Sequence, residues 1–190
     1  MEKIHIGTQS FLYPMPVVLV GTVVNGRPNF MTVGWISRVN FKPPLLGMGI
    51  SKGHYTAKGI LENKAFSVNI PSASMAEITD YCGIVSGKKQ DKSWLFDLFY
   101  GEVKTAPMIR ECPLTMECRL DQTVELPSNY LFIGEIAGVY TEEQYITDGC
   151  PDIEKMNPLS LTMPDNRYWK TGECAGSAWK MGKNWKKREE

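Results

Sequence analysis

The chain predicts a mainly β fold with short helices, most simply a β-barrel carrying helical covers. Three observations carry the prediction. The apolar runs are short and β-branched, as in Val17 to Val24. They are punctuated by breakers at Pro16, Asn25-Gly26, Pro43-Pro44 and Pro71. No regular alternation of strand and crossover helix appears, which argues against a doubly wound parallel sheet.

Val17 to Val24 is too short for a helix and reads as a buried strand. Asn25-Gly26 follows, a pair that tolerates positive φ at both central positions of a type I′ hairpin turn. The partner strand is expected from Asn29 to Val39. Leu45 to Ser51 is the third strand, and Gly47 and Gly49 inside it mark a bend or a close backbone approach. Thr56 reads as the cap of a short helix ending near Asn63. Phe66 to Ile70 is a fourth strand. Ser74-Met-Ala-Glu77 has capping-box spacing and opens a second helix to Cys82. Gly83 to Lys92 is a loop rich in glycine and lysine. Leu114 to Val124 and Tyr130 to Tyr140 are long strands joined by a turn containing Pro127-Ser-Asn, and Leu159 to Met163 is a last short strand. Gly172 to Met181 reads as a terminal helix, with Gly176 weakening it.

No repeat, low-complexity tract or long linker divides the 190 residues. A single domain is expected over residues 1–190, with the barrel at 10–165 and a covering segment at 166–190. No apolar run approaches the ~20 residues of a membrane helix, and Met1-Glu-Lys-Ile-His lacks a signal-peptide layout. A soluble cytoplasmic protein without a membrane partner is therefore expected. The formal net charge is zero, so non-specific nucleic-acid binding has no global electrostatic drive. Residues 141–154 are acidic and read as a surface loop. The tail is basic at Lys180, Lys183, Lys186, Lys187 and Arg188. The five cysteines contain no Cys-x-x-Cys and read as free thiols, and the two histidines lie outside ligand spacing with them, so no metal site is expected.

Polar chemistry concentrates at strand ends. Ser51, Lys52, His54 and Thr56 bring hydroxyls, a cation and a helix start together within six residues, as a phosphate requires. A capping threonine beside a surface lysine explains the same residues. Met31 to Trp35 offers an apolar strand with a glycine for close approach, although an ordinary half-buried strand with Trp35 in the core fits equally. Cys82 is either a redox-active thiol or a small buried hydrophobe. Tyr13 and Tyr130 are either neighbours of an aromatic ligand or core positions. Gly47-Met-Gly-Ile-Ser-Lys-Gly53 is not a dinucleotide fingerprint, since its third glycine is one residue too far and no βαβ unit follows. No Walker loop and no Ser-His-Asp or Cys-His constellation stands out.

Five motifs stand in order: Tyr13-Pro-Met-Pro-Val, Met31-Thr-Val-Gly-Trp, Pro43-Pro-Leu, Ser51-Lys-Gly-His-Tyr-Thr, and Ser86-Gly-Lys-Lys-Gln-Asp-Lys. Together they resemble the flavin reductase-like family, the FMN-binding split β-barrel proteins that include flavoredoxins. The resemblance covers residues 10–140, and Tyr168-Trp-Lys-Thr-Gly-Glu is similar to the tail of flavoredoxin members. It implies bound FMN as the only cofactor, with contacts from Met31, Thr32, Val33, Gly34, Trp35, Ser51, Lys52, His54, Tyr55, Thr56, Ser86, Gly87 and Lys92. It implies that the chemistry resides on FMN rather than on a protein catalytic group. It further implies a homodimer with the flavin near the interface. Electrons would come from NADH, NADPH or a reduced protein partner and pass to free flavin, ferric iron or another protein. The alternatives are an electron carrier without nicotinamide activity and a non-catalytic flavin-binding barrel.

Overall fold

The structure, a computed structural model, describes residues 1–185. Seven antiparallel strands form the main sheet: β1 (Val18–Val24), β2 (Arg27–Val33), β3 (Ile36–Asn40), β4 (Leu45–Ser51), β5 (Ala65–Ile70), β6 (Leu114–Glu125) and β7 (Asn129–Thr141). Their spatial order is β2-β1-β5-β6-β7-β4-β3. The edge strands β2 and β3 are separated in sequence only by Gly34 and Trp35. A sheet whose two edges are tied by two residues must curl until those edges approach. This makes a split β-barrel with its seam at Gly34-Trp35. Two register shifts between β6 and β7, at Ile133/Gly134 and Ile136/Gly138, add the bending that closure needs.

The expected strand from Asn29 to Val39 is thus two strands. The chain pairs Val33 with Val18 on β1, crosses the seam, and pairs Ile36 with Met48 on β4. The Asn25-Gly26 turn behaves as read, with φ of 51° and 76°.

Strand β1 is buried on both faces, which explains its continuous apolar run. Val18 and Val20 face the barrel interior with Met48, Ile50, Phe66 and Phe132. Leu19 faces the other way, into a cluster with Phe30, Cys82, Phe96 and Ile109. Helix α1 (Tyr55–Asn63) contributes Ala57 and Ile60 to the interior cluster. Gly59 lets it sit directly on β1: a Cβ there would lie 2.6 Å from the Val23 carbonyl oxygen. Gly59→Ala gains about 1 kcal/mol of helix propensity, but the overlap is with backbone that cannot rotate away. A net loss of roughly 1–2 kcal/mol is expected, read as a lower urea midpoint.

Helix α2 (Ala76–Ile84) is preceded by a 3₁₀ turn at Ala73–Met75 and runs two residues beyond the expected Cys82. The capping box does not form. No side chain caps either segment, and the Ser74 hydroxyl bonds Ser72 instead. The acidic stretch is exposed but not irregular. It contains a 3₁₀ turn at Glu143–Tyr145 and α3 (Ile153–Met156), capped by Asp152 through the amides of Glu154 and Lys155. Strand Leu159–Thr162 pairs both with Met15–Pro16 and with an unanticipated strand, Arg167–Lys170. That second strand anchors the covering segment, since the Tyr168 hydroxyl donates to Asp80 on α2 at 2.9 Å.

The terminal helix expected at Gly172 to Met181 is absent. Residues 171–177 are irregular, Gly176 adopts φ 137°, and the only helical turn there is 3₁₀ at Met181–Asn184. Two glycines in ten residues leave too little propensity, and no apolar face is buried to compensate. Of the basic tail, Lys186, Lys187 and Arg188 lie outside the described residues.

Candidate functional site

Helix α1 starts one residue before the expected cap. His54 occupies the N-cap position with extended backbone and makes no capping bond through its side chain. Thr56 is therefore not the cap but the second residue of the helix, and it is buried. Its Oγ1 accepts a hydrogen bond from Asn29 Nδ2 at 2.8 Å. With that lone pair engaged, the Thr56 proton is left to donate elsewhere. The amides of Tyr55 and Thr56 have no intrahelical partner, as at every helix start. No acidic residue lies in the first turn to neutralise the positive end of the helix.

Lys92 comes to the same place from the far end of the loop. It is 2% exposed, and its ammonium donates to the carbonyls of Cys82 at 3.0 Å and Val85 at 2.9 Å. A lysine ammonium has three protons, so one remains. Burial pulls its pKa below the ordinary lysine value, with the Cys82 thiol acting weakly the other way. Lys92 therefore closes off the end of α2, and it lines the same cavity as the start of α1.

Between them lies a cavity of about 170 Å³, lined by Met31, His54, Tyr55, Thr56, Ser86, Gly87 and Lys92 of the expected residues and by the end of α2. No Asp or Glu lines it. A hydroxyl proton, free amides and an ammonium proton converge there with no competing carboxylate, which is the donor set of a phosphate monoester site.

The other expected residues fall elsewhere. Lys52 does not line this cavity; it pairs with Glu125 at 2.6 Å and lies 5.6 Å from the centre of the Tyr130 ring. The Ser51 carbonyl accepts the His54 amide at 3.0 Å. Val33 is core. Thr32 donates its hydroxyl to the Thr79 carbonyl of α2. Gly34 and Trp35 line a second, largely apolar groove of about 660 Å³ along the seam, with Phe11, Gly47, Gly49 and Leu131.

Trp35 is not a core residue: it is 49% exposed, because the seam has no opposing strand to cover it. Gly49 passes flat beneath it, where a Cβ would meet the indole at 3.4 Å. The groove takes Gly47 and Gly49 of β4, and the cavity takes His54, three residues beyond the end of that strand. The structure thus holds an apolar groove and a separate cavity rich in donors.

Cys82 lines the polar cavity but is 1% exposed. Burial pushes its thiol up to about 11, against the opposing pull of Lys92, so it stays protonated at neutral pH. Tyr130 packs against the barrel core, while Tyr13 is half exposed and donates to the Met163 carbonyl. Asn29 was not anticipated from sequence. The available signal was a polar residue inside a strand that otherwise packs apolar side chains.

Residues 10–154 match the family model described as the flavin reductase like domain. The chain belongs to the flavin reductase-like family. Among solved structures, this flavin reductase-like chain is similar to a flavoredoxin from Methanosarcina acetivorans. The identity is 59% and the TM-score 0.95, covering 96% of this chain and 98% of that one. A flavoredoxin of Desulfovibrio vulgaris (Miyazaki F) is 34% identical with a TM-score of 0.90, covering 96% and 100%. An uncharacterized protein of Archaeoglobus fulgidus is 36% identical over 155 residues, 80% of this chain and 86% of its own length. Family membership gives this protein a flavin-linked redox role. Among the described residues no helix is long and apolar enough to cross a membrane, and no group of three or more His, Cys, Asp or Glu is placed to hold a metal ion.

Proposed function

We propose that this flavin reductase-like protein binds FMN and moves electrons from NADH, NADPH or a reduced protein partner to an acceptor such as free flavin, ferric iron or another protein. The observation that carries the reading is the cavity in which Thr56, the start of α1 and Lys92 present only donors. In this reading Thr56, Ser86, Lys92 and the amides of α1 hold the phosphate, with His54, Tyr55 and Gly87 shaping its walls. Met31, Thr32, Gly34 and Trp35 flank the ring, Val33 supports them from the core, and Ser51 and Lys52 set the approach to α1. FMN, when bound, supplies an isoalloxazine able to accept a hydride and release single electrons. The protein orients it, lays apolar side chains against it and limits water at its face.

A homodimer with the flavin near its interface is part of the proposal. Exposed apolar residues Trp35, Val39 and Phe41 lie within seven residues at and after the seam, and exposed Leu12 lines the same groove as Trp35, a surface that a second copy would cover. A cytoplasmic location is likewise proposed. A carrier without nicotinamide activity is the second reading, favoured by the high identity to a protein named flavoredoxin.

Anaerobic FMN-loaded protein mixed with NADH or NADPH separates the two. Rapid bleaching of the visible flavin band is expected of a reductase, whereas a flavin that stays oxidised until a redox protein is added identifies the carrier. A protein that takes up no FMN defeats both. Thr56→Val removes the donor and keeps the shape. It is expected to weaken FMN binding by about 1–3 kcal/mol in a fluorescence titration, and unchanged affinity would refute the phosphate assignment.

A further inference from the structure

The end of the chain carries large apolar side chains that its own barrel leaves bare. Trp179 is 92% exposed, Met181 63% and Trp185 76%. The segment that holds them is nonetheless built. The Ser177 carbonyl accepts the Lys180 amide at 3.3 Å and the Met181 amide at 3.1 Å, and a 3₁₀ turn follows at Met181–Asn184. Met181 folds back on Gly176, where a Cβ would lie 2.5 Å from its sulfur. Trp179 adopts φ 58°, a conformation that bulky side chains rarely take. A local turn thus holds an indole in the open, and its exposure leaves the backbone cost unrepaid within the subunit. The only charges between Cys174 and Trp185 are Lys180 and Lys183.

The barrel has a surface of matching character. A groove of about 340 Å³ is lined by apolar residues alone, among them Val17, Ile70, Pro151, Ile153, Met156 and Leu159. Pro151 and Ile153 belong to the acidic stretch and alternate with Asp152 and Glu154. Glu142, Glu143, Asp148 and Glu154 are all exposed. Lys155, the first cation after them, is turned to the Ile146 carbonyl at 2.7 Å. Lys170 pairs with Leu159, so the terminal segment leaves the barrel beside this groove, yet none of residues 171–185 lines it. Pro16 lines both this groove and the one along the seam, so a second copy seated on the seam would stand next to it.

We propose that this groove is the docking site for the C-terminal segment of a second copy of the chain. Trp179 enters the groove, and Lys180 and Lys183 face the carboxylates around Ile153. Aromatic side chains between lysines meet an apolar surface between acids, so charge and polarity are complementary together. Exchange of an identical segment between subunits needs no new surface beyond these two, and a two-fold dimer makes the contact twice. The flavin assignment plays no part in the inference.

The test uses the full chain carrying Cys174→Ser/Ala178→Cys, both positions being exposed. Cys82, Cys112 and Cys118 are buried, so the reactive thiols are Cys150, next to the groove residue Pro151, and the one at position 178. A short bismaleimide is added, the products are resolved on a denaturing gel, and the joined peptides are mapped by mass spectrometry. A band of twice the chain mass, joining Cys150 to position 178, is expected. Its yield should fall roughly fivefold or more when Lys180→Glu/Lys183→Glu is added, and likewise with Ile153→Gln, an exposed position whose change spares the core. The same two positions joined within one chain would mean that the segment fills its own groove, and would overturn the proposal. So would the absence of this cross-link, or a doubled band that either set of substitutions leaves unchanged. None of these outcomes bears on whether the protein takes up FMN, which the flavin titration reads separately.

Discussion

Lys92→Met is expected to destabilise the apoprotein by about 3 kcal/mol and to weaken FMN binding roughly ten- to hundredfold. The two losses have different origins. The first belongs to the fold. Lys92 is buried, and its ammonium satisfies the carbonyls of Cys82 and Val85 at the end of α2. The last carbonyls of a helix have no partner within it, and burial here leaves little room for water to replace the ammonium. Methionine fills the space of the lysine stem but donates nothing, so two acceptors stay unpaired. The second loss belongs to the site, where the third ammonium proton and the charge disappear. Urea unfolding of apoprotein reads the first and FMN titration of folded protein reads the second. An unchanged urea midpoint would mean that the ammonium does not hold α2.

Glu117→Gln is expected to cost roughly 2–4 kcal/mol at neutral pH. Glu117 is 1% exposed, and its carboxylate accepts from the amides of Glu102 at 3.1 Å and Val103 at 2.7 Å and from the Tyr140 hydroxyl at 2.7 Å. These bonds pin the segment leading into β6 against the outer face of the barrel. Glutamine offers one acceptor and turns an amide group against existing donors.

Burial pushes the Glu117 carboxyl up, but the Tyr140 hydroxyl and the two amides, aided by Arg119, outweigh it and hold the pKa below the ordinary carboxylate value. The sign for stability follows. A carboxyl whose folded pKa is depressed contributes fully above its unfolded value of about 4.3. That contribution is lost as pH falls from there through the folded value. The parent should therefore lose stability more steeply than the variant below about pH 4, so that their difference narrows with acid. Parallel curves down to that range would assign the cost to packing rather than to the charge.

The fold was legible where a residue dictates its own backbone. Asn25-Gly26 named its turn, Pro43-Pro44 separated two strands, and the doubly buried Val17 to Val24 run announced a central strand. The break at Gly34-Trp35 was not legible. Nothing in an alternating strand pattern tells that one half pairs with β1 and the other with β4, because that is a property of the closed sheet. The terminal helix failed through a tertiary condition: segment 172–181 had no surface on which to bury an apolar face.

In the candidate site, the motif around Ser51 to Thr56 marked the start of a helix, α1. The roles within it shifted, because Thr56 faces Asn29, a partner 27 residues away that spacing could not supply. Lys52 and Lys92 looked alike as charges in the sequence. Only burial separates them, one drawn out to Glu125 and the other drawn in beneath α2.

The Asn29–Thr56 bond has a consequence for which molecules are admitted. A free hydroxyl is ambidextrous, able to greet a donor or an acceptor by rotating. Here the carboxamide takes one lone pair of the oxygen and turns its proton away from itself before any ligand arrives. The pocket thus carries a built-in polarity. It favours an acceptor oxygen, because the Thr56 proton is the part of the hydroxyl left unengaged. Under the proposed FMN assignment, a ring system lacking its phosphate would find the same apolar slot but leave this door handle ungrasped, so flavins would be sorted by their tails before their rings.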